Sequence, residues 1–138
     1  MNNAENKSPA RVKSIAPQFV VPDVVAAAEY YRDFLGFRIL GFFGQPPVFS
    51  TVARDNAEIQ LRKADSAAGP AHNSLQRDSG LDAYVWVTDV DSLHAEFKER
   101  GAKIVESPQV RVYKCYEMVV EDNFGFRLAF AMDMQSPT

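Results

Sequence analysis

Val21-Pro-Asp-Val24, an amphipathic run and Gly36-Phe-Arg-Ile-Leu40 are echoed by Val87-Thr-Asp-Val90, a second amphipathic run and Gly101-Ala-Lys-Ile-Val105. The shift is 66 residues from Val21 to Val87 and 65 from Gly36 to Gly101, close to half of the 138-residue chain. Self-similarity at a fixed offset marks one supersecondary unit used twice. A chain of this length suits one compact domain that buries roughly 68% of its unfolded surface without staples. The two halves must therefore share one core or complete it with a second chain.

Outward from the repeat, each half reads as strand, helix and three strands. In the first, Ile15 to Val21 is apolar and β-branched, with Pro17 near its start. Asp23 is placed to cap a helix from Val24 to Phe34. Val24, Ala27, Ala28, Tyr31, Phe34 and Leu35 make its apolar face, and Gly36 stops it. Phe37 to Phe43, Val48 to Arg54 and Ala57 to Lys63 follow as strands, parted by Gly44-Gln-Pro-Pro47 and Asp55-Asn56. In the second half Ala83 to Val87 is a strand. Asp89 caps a helix with Val90, Leu93 and Phe97 on one face, and Gly101 ends it. Ile104-Val105, Val112 to Val120 and Phe126 to Met132 supply three more strands, with Asp122-Asn-Phe-Gly125 as a turn.

The fold class is thus α+β: two βαβββ modules forming a curled mixed sheet around a cleft, with the helices on the outer face. Residues 1–13 read as a loose, disordered tail and residues 14–135 as a single domain. Module one covers about 14–63, a connector rich in Ala, Ser, Gly and Asp covers 64–80, and module two covers about 81–133.

A net charge of −3 offers no basic stripe for phosphates, so nucleic acid is not an expected partner. No apolar run approaches the ~20 residues of a membrane span, so no membrane partner is expected and the expected setting is cytoplasmic. One cysteine, Cys115, excludes an internal disulfide and reads as a small hydrophobe in a strand. His72 falls in the connector and His94 on a charged, exposed part of the second helix. Neither has the spacing of a nucleophilic site.

Ala16-Pro17, Val21-Pro-Asp23, Tyr30-Tyr31-Arg-Asp-Phe-Leu-Gly-Phe37, Val87-Thr-Asp-Val-Asp-Ser-Leu-His-Ala-Glu-Phe97 and Glu121-Asp-Asn-Phe-Gly125 occur in one order along the chain. Together they resemble the glyoxalase/bleomycin resistance/dioxygenase superfamily, also called vicinal oxygen chelate, over about Ile15 to Met132. In its catalytic members, such as isomerases, lyases and dioxygenases, four side chains of the cleft hold one divalent metal. The resemblance puts those positions at Ala16, Gln60, Asp82 and Ala129. Two alanines cannot coordinate an ion, which leaves Gln60 and Asp82 as weak metal candidates, with Gln18 or Glu58 as helpers. No cofactor is expected, and the reading leans away from an enzyme, with a metal-dependent enzyme of the same superfamily as the alternative. Pro17 and the stretch Asp82 to Asp89 resemble the bleomycin-resistance branch, whose homodimers sequester a drug without chemistry. That resemblance implies an antibiotic-resistance type of small-molecule binding protein, with itself as partner in a homodimer.

A sequestering cleft needs apolar walls and a few polar anchors. Aromatic residues make up 12% of the chain, and Phe49, Tyr84, Trp86, Tyr113 and Tyr116 lie outside the helix faces. Such rings suit a planar or cationic drug-like ligand. Alternation puts Asp82, Tyr84 and Trp86 on one strand face. Gln18, Gln60, Asp82, Arg111, Lys114 and Glu117 are the polar candidates for ligand contact, with Gln18 and Gln60 favoured because an inward amide must find hydrogen bonds. Arg111 and Lys114 read as solvated charges at strand ends.

Overall fold

The computed structural model describes residues 8–67 and 69–134. Its elements are β1 (Gln18–Val21), α1 (Val24–Leu35), β2 (Arg38–Phe43), β3 (Phe49–Arg54) and β4 (Ala57–Lys63). After the connector come β5 (Ala83–Trp86), α2 (Val90–Arg100), β6 (Lys103–Val110), β7 (Cys115–Glu121) and β8 (Arg127–Asp133). Both helices start and stop on the residues that the repeat supplies. The Asp23 carboxylate accepts the amide of Ala26 at 2.9 Å, and that of Asp89 accepts Ser92 at 3.0 Å. Gly36 and Gly101 close them at φ 72° and 84°, a left-handed conformation that needs glycine.

The strands form two four-stranded sheets, ordered β1-β4-β3-β2 and β5-β8-β7-β6. In each, the opening strand runs parallel to the last, and the other pairings are antiparallel. This is the βαβββ plan twice, with β1 and β5 each at a sheet edge. Phe19, Val21, Val52, Ile59 and Leu61 of the first sheet face the same core as Met118, Val120, Leu128 and Phe130 of the second. Val24, Ala27, Ala28 and Tyr31 of α1 and Val90, Leu93 and Phe97 of α2 fill it. The alternate strand residues form the inward face, turned away from the helices.

Three details differ from the sequence reading. The first strand begins at Gln18 rather than Ile15, because Pro17 lacks an N–H and joins only by accepting the Gln60 amide at 2.9 Å. The sixth strand extends to Val110, past register shifts around Glu106. The seventh starts at Cys115 and not Val112, because Arg111 to Lys114 turns: the Lys114 amide donates to the Arg111 carbonyl at 2.9 Å and Lys114 sits at φ 64°. No glycine announces that turn. Of the expected tail, Ser8 to Lys13 have no regular structure and are exposed. Residues 1–7, and residue 135 at the end of the expected domain, lie outside the described residues.

The modules join at two symmetric corners. At one, the Phe19 and Phe126 rings stack at 4.4 Å and the Tyr31 hydroxyl donates to Asp122 at 2.7 Å. At the other, Arg54 of module one forks onto Glu96 of α2 with two bonds of 2.8 Å, while Arg100 donates to the same carboxylate at 2.8 Å. The Arg54 bond first, and Arg100 after it, hold Glu96 below its ordinary value near 4.5 against the opposing effect of burial. Its stabilising contribution is then complete above that ordinary value and is lost as pH falls through the depressed one. Urea unfolding at stepped pH should show stability dropping below about pH 4.5, with a shallower drop in Glu96→Gln. Equal slopes in both proteins would show that this corner does not set the acid limb.

Candidate functional site

The inward face of module one is built around an amide pair. Gln18 on β1 lies in register with Gln60 on β4, and its Nε2 donates to Gln60 Oε1 at 2.9 Å. Phe49 on β3 shares that face, in register with Arg62 on one side and Phe43 on the other. Phe43 is exposed and Phe49 half-buried, so this face ends in an aromatic residue turned to solvent.

The inward face of module two carries a denser arrangement. Tyr84 and Trp86 project from β5, with ring centroids 5.2 Å apart in an edge-on contact. Their neighbours in register on β8 are Ala129 and Ala131, and beyond Ala131 on β7 stands Glu117. Two small residues on the intervening strand let the Tyr84 side chain cross it. Its hydroxyl donates to Glu117 Oε1 at 2.6 Å. Arg111 Nε donates to Glu117 Oε2 at 3.1 Å, and the same guanidinium pairs with Glu106. Glu117 is only 2% exposed, whereas Trp86 is 62% and Tyr113 53% exposed. A buried carboxylate is tenable here because a guanidinium and a phenol satisfy it. Burial foremost, then the bond to Glu117, pushes the Tyr84 phenol well above its ordinary value of 10.0. The Tyr113 phenol is raised by burial and then by the same carboxylate.

These placements sort the residues named from sequence. Tyr84, Trp86 and Tyr113 come together around Glu117, while Gln18, Gln60 and Phe49 form a separate group on module one. Tyr116 stands on the other face of its strand, and its hydroxyl donates to Asp91 of α2 at 2.6 Å. Asp82 is spent on the backbone: its two oxygens accept the amides of Asn73 and Arg127, each at 2.8 Å. It thereby pins the connector to β8. Arg111 is no solvated strand-end charge, since both of its acidic partners hold it against the sheet. Cys115 is buried at the start of β7. His94 is half-buried, and His72 lies over Gly125, with Nδ1 at 2.8 Å from the Ser74 hydroxyl. The Glu117–Arg111–Glu106 chain escapes sequence reading because nothing local reveals that the turn at 111–114 folds Arg111 back onto β7.

The four positions that correspond to a metal site do not fit one. Ala16 and Ala129 bring no donor atom, Gln60 is bonded to Gln18, and both Asp82 oxygens are occupied. A catalytic site needs about three protein ligands and an open position. Among the described residues no three His, Cys, Asp or Glu side chains stand together as a metal cluster. The described cavity that reaches the aromatic pair has a volume of about 690 Å³. It runs along β5 from Tyr84 and Trp86 to Asp89, between Pro17, Ala57 and Glu58 of module one and Ser92 and Leu93 of α2, and so lies beside the Glu117 network without being lined by it.

Residues 11–130 match the family model described as Glyoxalase/Bleomycin resistance protein/Dioxygenase superfamily. Among solved structures, TioX from Micromonospora sp. ML1 is similar at 18% identity and a TM-score of 0.69, over 88% of this chain and 98% of that one. The bleomycin-binding protein of bleomycin-producing Streptomyces verticillus, complexed with copper(II)-bleomycin, is 22% identical at a TM-score of 0.62, over 88% and 97%. A glyoxalase/bleomycin resistance protein/dioxygenase from Nocardioides is 15% identical at a TM-score of 0.68, over 97% and 91%. At these identities the likeness shows the fold. No curated protein sequence matches the chain.

Asp82→Ala should lower unfolding free energy by about 1.5–3 kcal/mol, the range for hydrogen bonds to a charged group. It should also open the connector to limited proteolysis. An unchanged stability would return Asp82 to the pool of free ligand-binding groups.

Proposed function

Because the chain belongs to the glyoxalase/bleomycin resistance protein/dioxygenase superfamily, we propose that it binds a small planar or cationic drug-like molecule and sequesters it without chemistry. The observation that carries this reading is the surface made by Tyr84, Trp86 and Tyr113. Tyr84 and Trp86 are exposed on the inward face of β5 and Tyr113 is exposed in the turn that leads into β7, above a buried carboxylate. Stacking and cation–π attraction are the forces such a surface supplies. The network below it holds two carboxylates, Glu106 and Glu117, against one guanidinium, Arg111, an imbalance that favours a positive ligand. Gln18, Gln60 and Phe49 are the corresponding anchors of module one. Binding without a metal is supported by the two alanines and by the existing bonds of Gln60 and Asp82. The bleomycin-binding protein makes an antibiotic a reasonable first ligand to try.

The binding unit we infer is a homodimer. β1 and β5 are both edge strands of their sheets, and Ile15, Val20, Phe42, Phe43 and Trp86 are exposed. A second copy would cover such edges and bring the inward face of one module opposite that of another. Among the described residues no helix is long and apolar enough to cross a membrane.

Thermal-shift titration of chelator-stripped protein tests the reading. Metal-free bleomycin or ethidium should raise the melting point by mass action, by about 2.7 kcal/mol of added stability at a hundredfold excess over Kd. Trp86→Ala should weaken that binding by about 1–3 kcal/mol. A shift with Ni²⁺, Mn²⁺, Fe²⁺ or Zn²⁺ and none with the organic cations would overturn it in favour of a metal enzyme. Sedimentation should give twice the monomer mass, and a monomer that binds the drug fully would refute the shared cleft.

A further inference from the structure

We infer that Glu117, with Arg111 and Glu106 behind it, is the positioning residue of the aromatic surface. It fixes Tyr84, and through Tyr84 the edge-on Trp86, without touching the ligand. This rests on the reading that the surface binds a ligand, and deepens it.

The argument is geometric. Glu117 is 2% exposed and has a partner on each oxygen. It lies two strands away from the residue it holds, reached only because Ala129 and Ala131 are small. For the fold alone this is a poor arrangement. A desolvated ion pair gives little net stability, and an apolar residue at 117 would pack at lower cost. Tyr84 and Trp86 remain exposed, so the bond secures ring orientation more than burial. A ring with two free torsions loses less entropy on binding when it is already held. Tyr84 thus acts as a strut, Glu117 as its socket, and Arg111 as the brace that Glu106 steadies from β6.

Variants Glu117→Gln and Tyr84→Phe, and the double variant, separate this from a merely structural role. Ethidium affinity, followed by the fluorescence of Trp86, the only tryptophan, should fall about tenfold in each single variant. The double variant should lose little more, because both remove one interaction. A ligand-free readout accompanies it: the near-ultraviolet circular dichroism of Trp86 should weaken in both single variants. The Tyr84 ring-carbon NMR titration should also move back toward the ordinary tyrosine range in Glu117→Gln. The titratable groups that act on Tyr84 in that titration are Glu117 and Cys115 of β7, with Arg111, Glu106 and Tyr113 reaching it only through Glu117. Should Glu117→Gln not fold, Glu106→Gln, at the outer end of the chain of bonds, is expected to move affinity and dichroism the same way by a smaller factor. If wild-type protein binds ethidium and the folded variants bind it equally, the positioning role is overturned and the binding function stands. If wild type binds neither ethidium nor bleomycin, the binding function falls, and the dichroism alone decides the positioning role: an unchanged Trp86 signal overturns it.

Discussion

Everything in this chain hangs on the buried contact between Tyr31 and Asp122. Asp122 accepts the Tyr31 hydroxyl from α1 and the amides of Phe124 and Phe126 from its own turn. One carboxylate therefore shapes the β7–β8 turn and fastens it to the helix of the other module. Burial pushes that carboxyl above its ordinary value, against the pull of the same three donors, a sign of how dry the joint is. Around it, Tyr30 bridges the Glu121 carbonyl and the Lys103 amide, and Asn123 donates to the Ala26 carbonyl. Neither βαβββ unit could bury its helix-facing residues alone, since each sheet is covered on one side only. The joint turns two incomplete layers into one core, and the inward faces exist because that core claims every second strand residue.

The candidate site follows from what the core leaves over. Residues that alternate with Leu128 and Phe130 on β8 must point inward, and here they are alanines. Their smallness lets one strand's tyrosine reach another strand's glutamate, so polar order is achieved across a sheet and not along a strand. The resulting surface is aromatic and partly wet above, charged and dry below. That combination explains how exposed rings can keep a defined orientation without being packed into the interior.

Much of this was legible in the residues themselves. Asp23 and Gly36, with Asp89 and Gly101, mark the two helices nearly to the residue, because caps and stops are local chemistry. Ala57 to Lys63 was bounded correctly because Asp55-Asn56 and the polar connector punctuate it. The misplaced start of β7 shows the converse: Arg111 to Lys114 contains none of the usual turn residues, and its bend is set by contacts with Glu106 and Glu117. Alternation correctly grouped Tyr84 with Trp86. It could not show that Tyr116 lies on the helix side, because that depends on where the unmarked turn ends. Asp82 shared the Tyr84 face by parity, yet its carboxylate turned to the connector, a partner too far along the sequence for local pattern to reveal.

Ala129 and Ala131 also act as a ratchet on how such a chain can change. A carboxylate installed at 129 would stand in the path of Tyr84 and part it from its partner. Glu117 would then be a buried charge short of a donor, a defect of about 1–3 kcal/mol. Oxygen-donor side chains cannot accumulate at this spot one at a time without passing through a weaker fold. Once the tyrosine has crossed the strand, the crossing itself guards the vacancy that made it possible.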